Sequence, residues 1–132
     1  MLYRILVTGS RAWTEDMVIW HALAAEVRVA FANGFDLEDI VQVNGACPDG
    51  ADARCAGIAT VLGIKVEEHP ADWATHGKRA GFLRNQEMVD LGADVCLAFI
   101  QDDSKGASMT ARIAEEAGIP VKRYEMLTYL PE

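Results

Sequence analysis

Tyr3-Arg4-Ile5-Leu6-Val7-Thr8-Gly9-Ser10-Arg11 is the stretch from which the fold reads outward. Tyr3 to Val7 is short and largely apolar, the mark of a buried strand. It runs straight into a glycine turn, and a helical pattern takes over from Thr14. A strand, a tight turn and a helix in that order leave free backbone N–H groups at the carboxyl end of the strand. Those groups and the helix dipole favour an anion. Arg11 adds a planar fork suited to phosphate. In an open parallel sheet, ligands sit beyond the carboxyl ends of the strands, where the strand order reverses. Strand one reads as that switch strand.

The remaining chain repeats the alternation. Glu15 to Ala32 is helical, with Met17, Trp20, Ala24, Val27 and Phe31 at spacings of three and four, Thr14 as N-cap and Asn33-Gly34 as stop. Asp39 to Asn44 reads as strand two. Asn44-Gly45-Ala46-Cys47-Pro48-Asp49-Gly50-Ala51-Asp52 is a second strand-turn-helix junction, with Asp49 as cap. Its helix carries Ala51, Cys55, Ile58, Ala59 and Leu62 on one stripe and ends at Gly63. Ile64 to Glu68 is strand three. His69 to Lys78 has no clear period, and Arg79 to Leu91 is helical. Ala93 to Ile100 is an apolar run, as in a strand covered on both faces. A polar loop from Gln101 to Gly106 leads to a small-residue helix, Ala107 to Ala117, ended by Gly118. Pro120 to Tyr124 is the last strand, and Leu127, Tyr129, Leu130 and Pro131 are expected to pack on the surface.

This alternation predicts an α/β fold: one Rossmann-like, three-layer domain over residues 1–132, with a parallel sheet of about five strands in the order 3-2-1-4-5. There is no internal repeat and no linker. The chain of 132 residues can bury a sizeable core. No apolar run approaches the ~20 residues that span a bilayer, and no signal peptide is legible. Cys47, Cys55 and Cys96 have no metal-like spacing, and Cys55 and Cys96 fall on apolar stripes. Reduced thiols and a cytoplasmic location are therefore expected. A net charge of −8 argues against nucleic acid as a partner.

Four groups of residues are candidates for binding. Gly9, Ser10 and Arg11 suit a phosphate; a tight turn with a surface arginine is the competing reading. Gly45, Gly50 and Asp52 form the second, the glycines allowing close approach to the backbone and Asp52 accepting from ribose hydroxyls, unless it only favours the helix dipole. The third is Arg84 and Asn85. Asn85 shares a helix face with Phe82 and Val89, so its amide needs partners, in a loop or in a ligand. The fourth is Lys105, Gly106, Ser108 and Thr110, whose hydroxyls would bind phosphate or cap the helix. Trp73, with His76, is placed as a lid that stacks on a base. His69, Asp72 and His76 match no compact ligand spacing, so no metal is expected. Neither GxGxxG nor GxxxxGK[ST] occurs, so neither a dinucleotide cofactor nor a nucleoside-triphosphatase is supported.

Taken together, Val7-Thr8-Gly9-Ser10-Arg11, Gly45 to Asp52, His69-Pro70-Ala71-Asp72-Trp73, Gly81-Phe82-Leu83-Arg84-Asn85-Gln86-Glu87-Met88 and Ser104 to Thr110 resemble the YspA/YpsA-type branch of the SLOG superfamily. That superfamily also contains the DNA-processing protein A fold and the Lonely Guy phosphoribohydrolases. The resemblance implies a Rossmann-like domain that binds a nucleotide or nucleotide-derived ligand, and it implies self-association. The small-residue helix Ala107 to Ala117 is the surface expected to carry that self-association. Lonely Guy enzymes pair a helical arginine with a glutamate after a PGGxGT turn. Arg84 looks like the arginine and Gly106-Ala107-Ser108 like the turn, but Met109, Thr110 and Ala111 follow where the glutamate is expected. A sensor or carrier of a small nucleotide-like ligand is therefore the leading expectation. The alternative is a phosphoribohydrolase-like enzyme cleaving an N-glycosidic bond, with Arg84 as its catalytic residue.

Overall fold

The computed structural model describes residues 1–128. The predicted packing of Tyr129, Leu130 and Pro131 lies outside those residues. Five strands form one sheet: β1 (Tyr3–Gly9), β2 (Ile40–Asn44), β3 (Lys65–Glu68), β4 (Val95–Gln101) and β5 (Val121–Met126). Their order is β3-β2-β1-β4-β5, and every pairing is parallel. The helices are α1 (Asp16–Ala32), α2 (Ala51–Leu62), α3 (Trp73–His76), α4 (Ala80–Asp90) and α5 (Lys105–Glu116). The sequence-based order of strands holds, with β1 at the centre. Its registers run from Tyr3 opposite Ile40 on one side and from Ile5 opposite Val95 on the other.

The pleat sends alternate residues of β1 to opposite faces. Ile5 and Val7 join Ile19 and Leu23 of α1, Cys55 and Ala59 of α2 and Phe99 of β4 in one core. Leu6 joins Met88 and Val89 of α4 and Ala114 of α5 in the other. Two helices thus cover each face, and the carboxyl ends of β1, β2 and β4 open on the same edge. Among the described residues, no helix is long and apolar enough to cross a membrane.

The register of α1 differs from its sequence reading. Ile19, Ala22, Leu23, Glu26 and Ala30 face the core, whereas Met17 and Phe31 are exposed. The helix is apolar around much of its circumference, so spacing alone admits two phases. The choice depends on a charged residue inside. Glu26 is buried and accepts from the Tyr3 hydroxyl (2.9 Å) and Lys122 Nζ (2.5 Å). Burial, then the bond to Glu26, raises the pKa of Tyr3; the same partner raises that of Lys122.

Helix starts also differ. Neither Thr14 nor Asp49 caps: Glu15 and Gly50 precede α1 and α2, without a side-chain cap. α5 begins at Lys105, so Lys105 and Gly106 lie in its first turn rather than in a loop. Its small residues Ala107, Ala111 and Ala114 are buried against the sheet. They are therefore unavailable for the helix-to-helix contact between copies that the sequence suggested. Within the unpatterned stretch after β3, Asp72 caps the short α3 by accepting from Thr75 N–H (3.1 Å).

Candidate functional site

A cavity of about 550 Å³ opens where the strand order reverses, at the carboxyl edge of β1. Gly9, Ser10 and Arg11 form one wall, and Gly45, Cys47 and Asp52 the next. Trp73 and the α4 residues Gly81, Phe82, Arg84, Asn85 and Met88 close a third side. Gln101, Ser104, Gly106, Ala107 and Met109 close the fourth.

The first turn is held from beneath. Ser10 N–H donates to Phe99 O (2.9 Å), and Ser10 O accepts from Trp13 N–H (3.2 Å) and Ala51 N–H (3.1 Å). Arg11 and Ala12 are thereby looped out toward the cavity. Trp13 fixes the turn from the core side: it is 1% exposed, lies 5.5 Å from the Phe99 ring and donates its indole N–H to Glu15 O (3.0 Å). Ser10 Oγ accepts from Gln101 N–H (2.8 Å), which ties the end of β1 to the end of β4. Arg11 itself is exposed at the rim.

The second turn seats Arg84. Its Nε donates to Asn85 Oδ1 (2.7 Å), and its Nη1 donates to Gly45 O and to His69 O (3.4 Å). One guanidinium thus joins the ends of β2 and β3 to α4. A Cβ on Gly45 would lie 2.6 Å from Arg84 Nη1, so glycine makes room for the arginine rather than for a bare backbone approach. Ala46 sits at a left-handed φ of 58°, and Asn44 Oδ1 steadies it by accepting Ala46 N–H (2.7 Å). Burial lowers the pKa of Arg84, Asp52 opposes that, and Arg11 adds to it by repulsion.

Asp52, in the first turn of α2, is 8% exposed and faces the cavity. Its carboxylate accepts from Cys47 N–H (3.2 Å). Burial raises its pKa, and the backbone bond from Cys47 and the charge of Arg84 partly offset that. The first turn of α5 carries no side-chain cap from Ser104, so its leading N–H groups are free to face an anion.

Three predicted site residues do not line this cavity. Gly50 has φ 71° and ψ −142°, and a Cβ there would strike the backbone of Ser10 and Arg11. It serves the packing of one turn on the other. Ser108 lies two residues beyond Gly106, on a different face of α5. Thr110 is buried and returns its hydroxyl to Gly106 O (3.1 Å). Gly9 does line the cavity, but a Cβ on it would strike Ala51 of α2, so its small size is also a packing requirement. Asn85 orients Arg84. Trp73 stands at the mouth, 53% exposed, with its ring beside Gly81. His76 is exposed and is not part of the wall. His69 lies 2.7 Å from Glu67, which Arg4 grips with both terminal nitrogens (3.1 and 2.7 Å). Cys47, Phe82 and Met88 line the cavity from within motifs that carry the family resemblance but were not singled out there, whereas Gln101 in the wall and Trp13 beneath it belong to no such motif.

The chain that builds this cavity belongs to the YspA, cpYpsA-related SLOG family, whose family pattern matches residues 3–76. It is also 43% identical over 122 residues to the Gene 61 protein of Mycobacterium phage D29, a match covering 89% of this chain and 93% of that protein. No solved structure matches.

Proposed function

We propose that the protein binds a nucleotide or nucleotide-derived small molecule at the carboxyl edge of its sheet, as a sensor or carrier. The observation that carries this reading is the composition of the one cavity wall against the other. Arg11, Ser10 and the uncapped start of α5 offer donors and positive potential on one side. Asp52 offers a buried acceptor on another, suited to ribose hydroxyls, and the Trp73 ring stands at the mouth to cover a base. A volume of about 550 Å³ suits a ligand of this size. Family membership supports the same ligand class.

Binding is favoured over glycosidic cleavage by what surrounds Gly106. Among the described residues, Ser104, Ala107 and Met109 line the cavity there, and its carboxylate is Asp52, on a different helix. Glu115 is instead paired with Arg123 (2.5 and 3.0 Å) on the surface. Arg84, the residue an N-glycosidic reaction would use, already spends donors on Gly45, His69 and Asn85. Its role in this reading is to hold the walls and to contribute charge. The three free cysteines, two of them buried, fit a reducing compartment, the cytoplasm. The acidic chain favours a small ligand over nucleic acid. Native mass spectrometry of the purified protein tests the proposal: a copurifying adduct that yields a nucleotide or its derivative on denaturation is expected. Recovery of a ligand without phosphate or nucleoside would reject it.

A further inference from the structure

We propose that the contact between Asp102 and Thr128 is a clamp that holds the start of α5 in its phosphate-binding position, so that both are positioning residues for the ligand. The inference rests on the nucleotide-binding reading of the cavity, and it starts from where the backbone is strained. Among the described residues, the non-glycine residues with left-handed φ are Ala46 (58°), Asp102 (52°) and Asp103 (57°). All three lie in turns that border the same cavity. Gly45 and Cys47 flank Ala46 in its wall, and Gln101 and Ser104 flank the two aspartates. Strain gathered at one site persists only where the surrounding structure holds it. Ala46 is held by Asn44 Oδ1. The aspartates have the greater need of a holder, because two successive left-handed residues turn the chain from β4 into α5.

Thr128 supplies the hold. Its N–H donates to one Asp102 carboxylate oxygen (2.8 Å) and its hydroxyl to the other (2.6 Å). The hydroxyl bond, then the backbone bond, lowers the pKa of Asp102, so the ionised carboxylate is the form that is gripped. Asp102 N–H donates to Met126 O (2.9 Å), so the end of β5 fixes the backbone of the same residue. Beyond the turn the effect reaches the cavity. Gln101 N–H donates to Ser10 Oγ (2.8 Å), Ser104 N–H to Gln101 O (3.2 Å) and Ser108 N–H to Ser104 O (3.1 Å). The turn thus sets where Ser104, Gly106 and Ala107 stand in the wall. With no side-chain cap on α5, its leading N–H groups serve a phosphate only while the turn before them keeps one conformation. Any other conformation lowers the apparent affinity in proportion to its population. An unclamped carboxylate so near an anion site would only repel phosphate; the clamp gives it a use.

Titration calorimetry of the full chain with adenosine, guanosine, cytidine and uridine monophosphates, beside the same nucleosides without phosphate, is the test. Asp102→Ala removes the grip and keeps a side chain at left-handed φ, whereas Asp102→Gly removes grip and strain together. Monophosphate affinity should fall about fivefold or more in Asp102→Ala and stay within about threefold of wild type in Asp102→Gly. Thr128→Val loses the hydroxyl bond alone and should fall between them. Nucleoside affinity should change less than about twofold in all three variants, because the clamp acts on the phosphate end. Hydrogen exchange of the unliganded chain is the second readout: protection of the Ser104 and Ser108 amides should drop in Asp102→Ala and recover in Asp102→Gly. Monophosphate binding that Asp102→Ala leaves unchanged, or tightens as relief of a like charge would, overturns the proposal. So does an equal loss in the alanine and glycine variants, or a loss that extends equally to the nucleosides. A wild type that binds no monophosphate overturns the reading of the cavity instead. Unchanged protection in Asp102→Ala would then remove the clamp as well, and lost protection would retain it as the device that orders this turn.

Discussion

Gly50→Ala is the substitution that separates a packing glycine from a ligand-facing one. At φ 71° and ψ −142° the backbone of Gly50 lies in a region nearly closed to residues with a Cβ. Forcing alanine there costs about 1–3 kcal/mol. The new Cβ also strikes the Ser10 and Arg11 carbonyl groups. That backbone is pinned by Phe99 O, Trp13 N–H and Ala51 N–H and cannot simply step aside. Overpacking of this kind adds about 1–3 kcal/mol. For a chain of 132 residues the entropy of unfolding is about 0.28 kcal/mol/K. The expected loss is therefore on the order of 7–20 °C in melting temperature. Gly34→Ala is the internal control, because Gly34 has a similar φ of 87° and an added methyl there would meet nothing within 4 Å. It carries only the conformational part, about 1–2 kcal/mol. Thermal melts followed by circular dichroism measure both variants. If Gly50→Ala melts no lower than Gly34→Ala, the turn-on-turn packing argument is wrong.

Gly45→Ala should act on Arg84 rather than on the backbone: melting should change modestly, while affinity for a nucleotide probe falls because the guanidinium is displaced, which paired melts and calorimetry will read. Trp13→Ala removes the peg beneath the Arg11 turn and should cost about 3–5 kcal/mol in urea unfolding; a loss below ~1 kcal/mol would mean the turn is held elsewhere. Glu67 has its carboxyl lowered from its ordinary 4.5 to about 2, first by Arg4 and then by His69. Its contribution is complete above about pH 4.5 and is lost as pH falls toward 2. Arg4→Met should therefore lower the melting temperature more at neutral pH than near pH 2. Equal effects at both pH values would contradict the pairing.

The fold was legible because the signals that set it are local. The apolar run from Val95 to Ile100 has burial on both faces written into its composition, and Gly9, Gly63 and Gly118 punctuate the alternation. The phase of α1 was not legible, since its inward face depends on Glu26 meeting Tyr3 and Lys122 from remote strands. The same limit applies at the cavity. Ser10 and Arg11 announce themselves through the turn they occupy. Gln101 enters only through a bond to Ser10 across 91 positions, and Trp13 only through Phe99. What each glycine makes room for was not legible, for a related reason. Gly9, Gly45 and Gly50 read alike in sequence, yet Ala51, Arg84 and the Arg11 backbone are what each makes room for. Ser108 and Thr110 looked alike as first-turn hydroxyls until the earlier start of α5 moved both out of the wall.

Titration calorimetry of the full chain with nucleoside mono- and diphosphates, wild type beside Arg11→Ala, tests the central claim most directly. Arg11 is exposed at the cavity rim, so its replacement leaves the fold intact. A charge-assisted bond to the ligand's phosphate is worth roughly 1.5–3 kcal/mol. The wild type should bind at least one probe, and Arg11→Ala should bind it about tenfold to hundredfold more weakly at an unchanged melting temperature. Wild-type binding that Arg11→Ala leaves unaltered, or no binding to any phosphorylated nucleoside, would contradict the account.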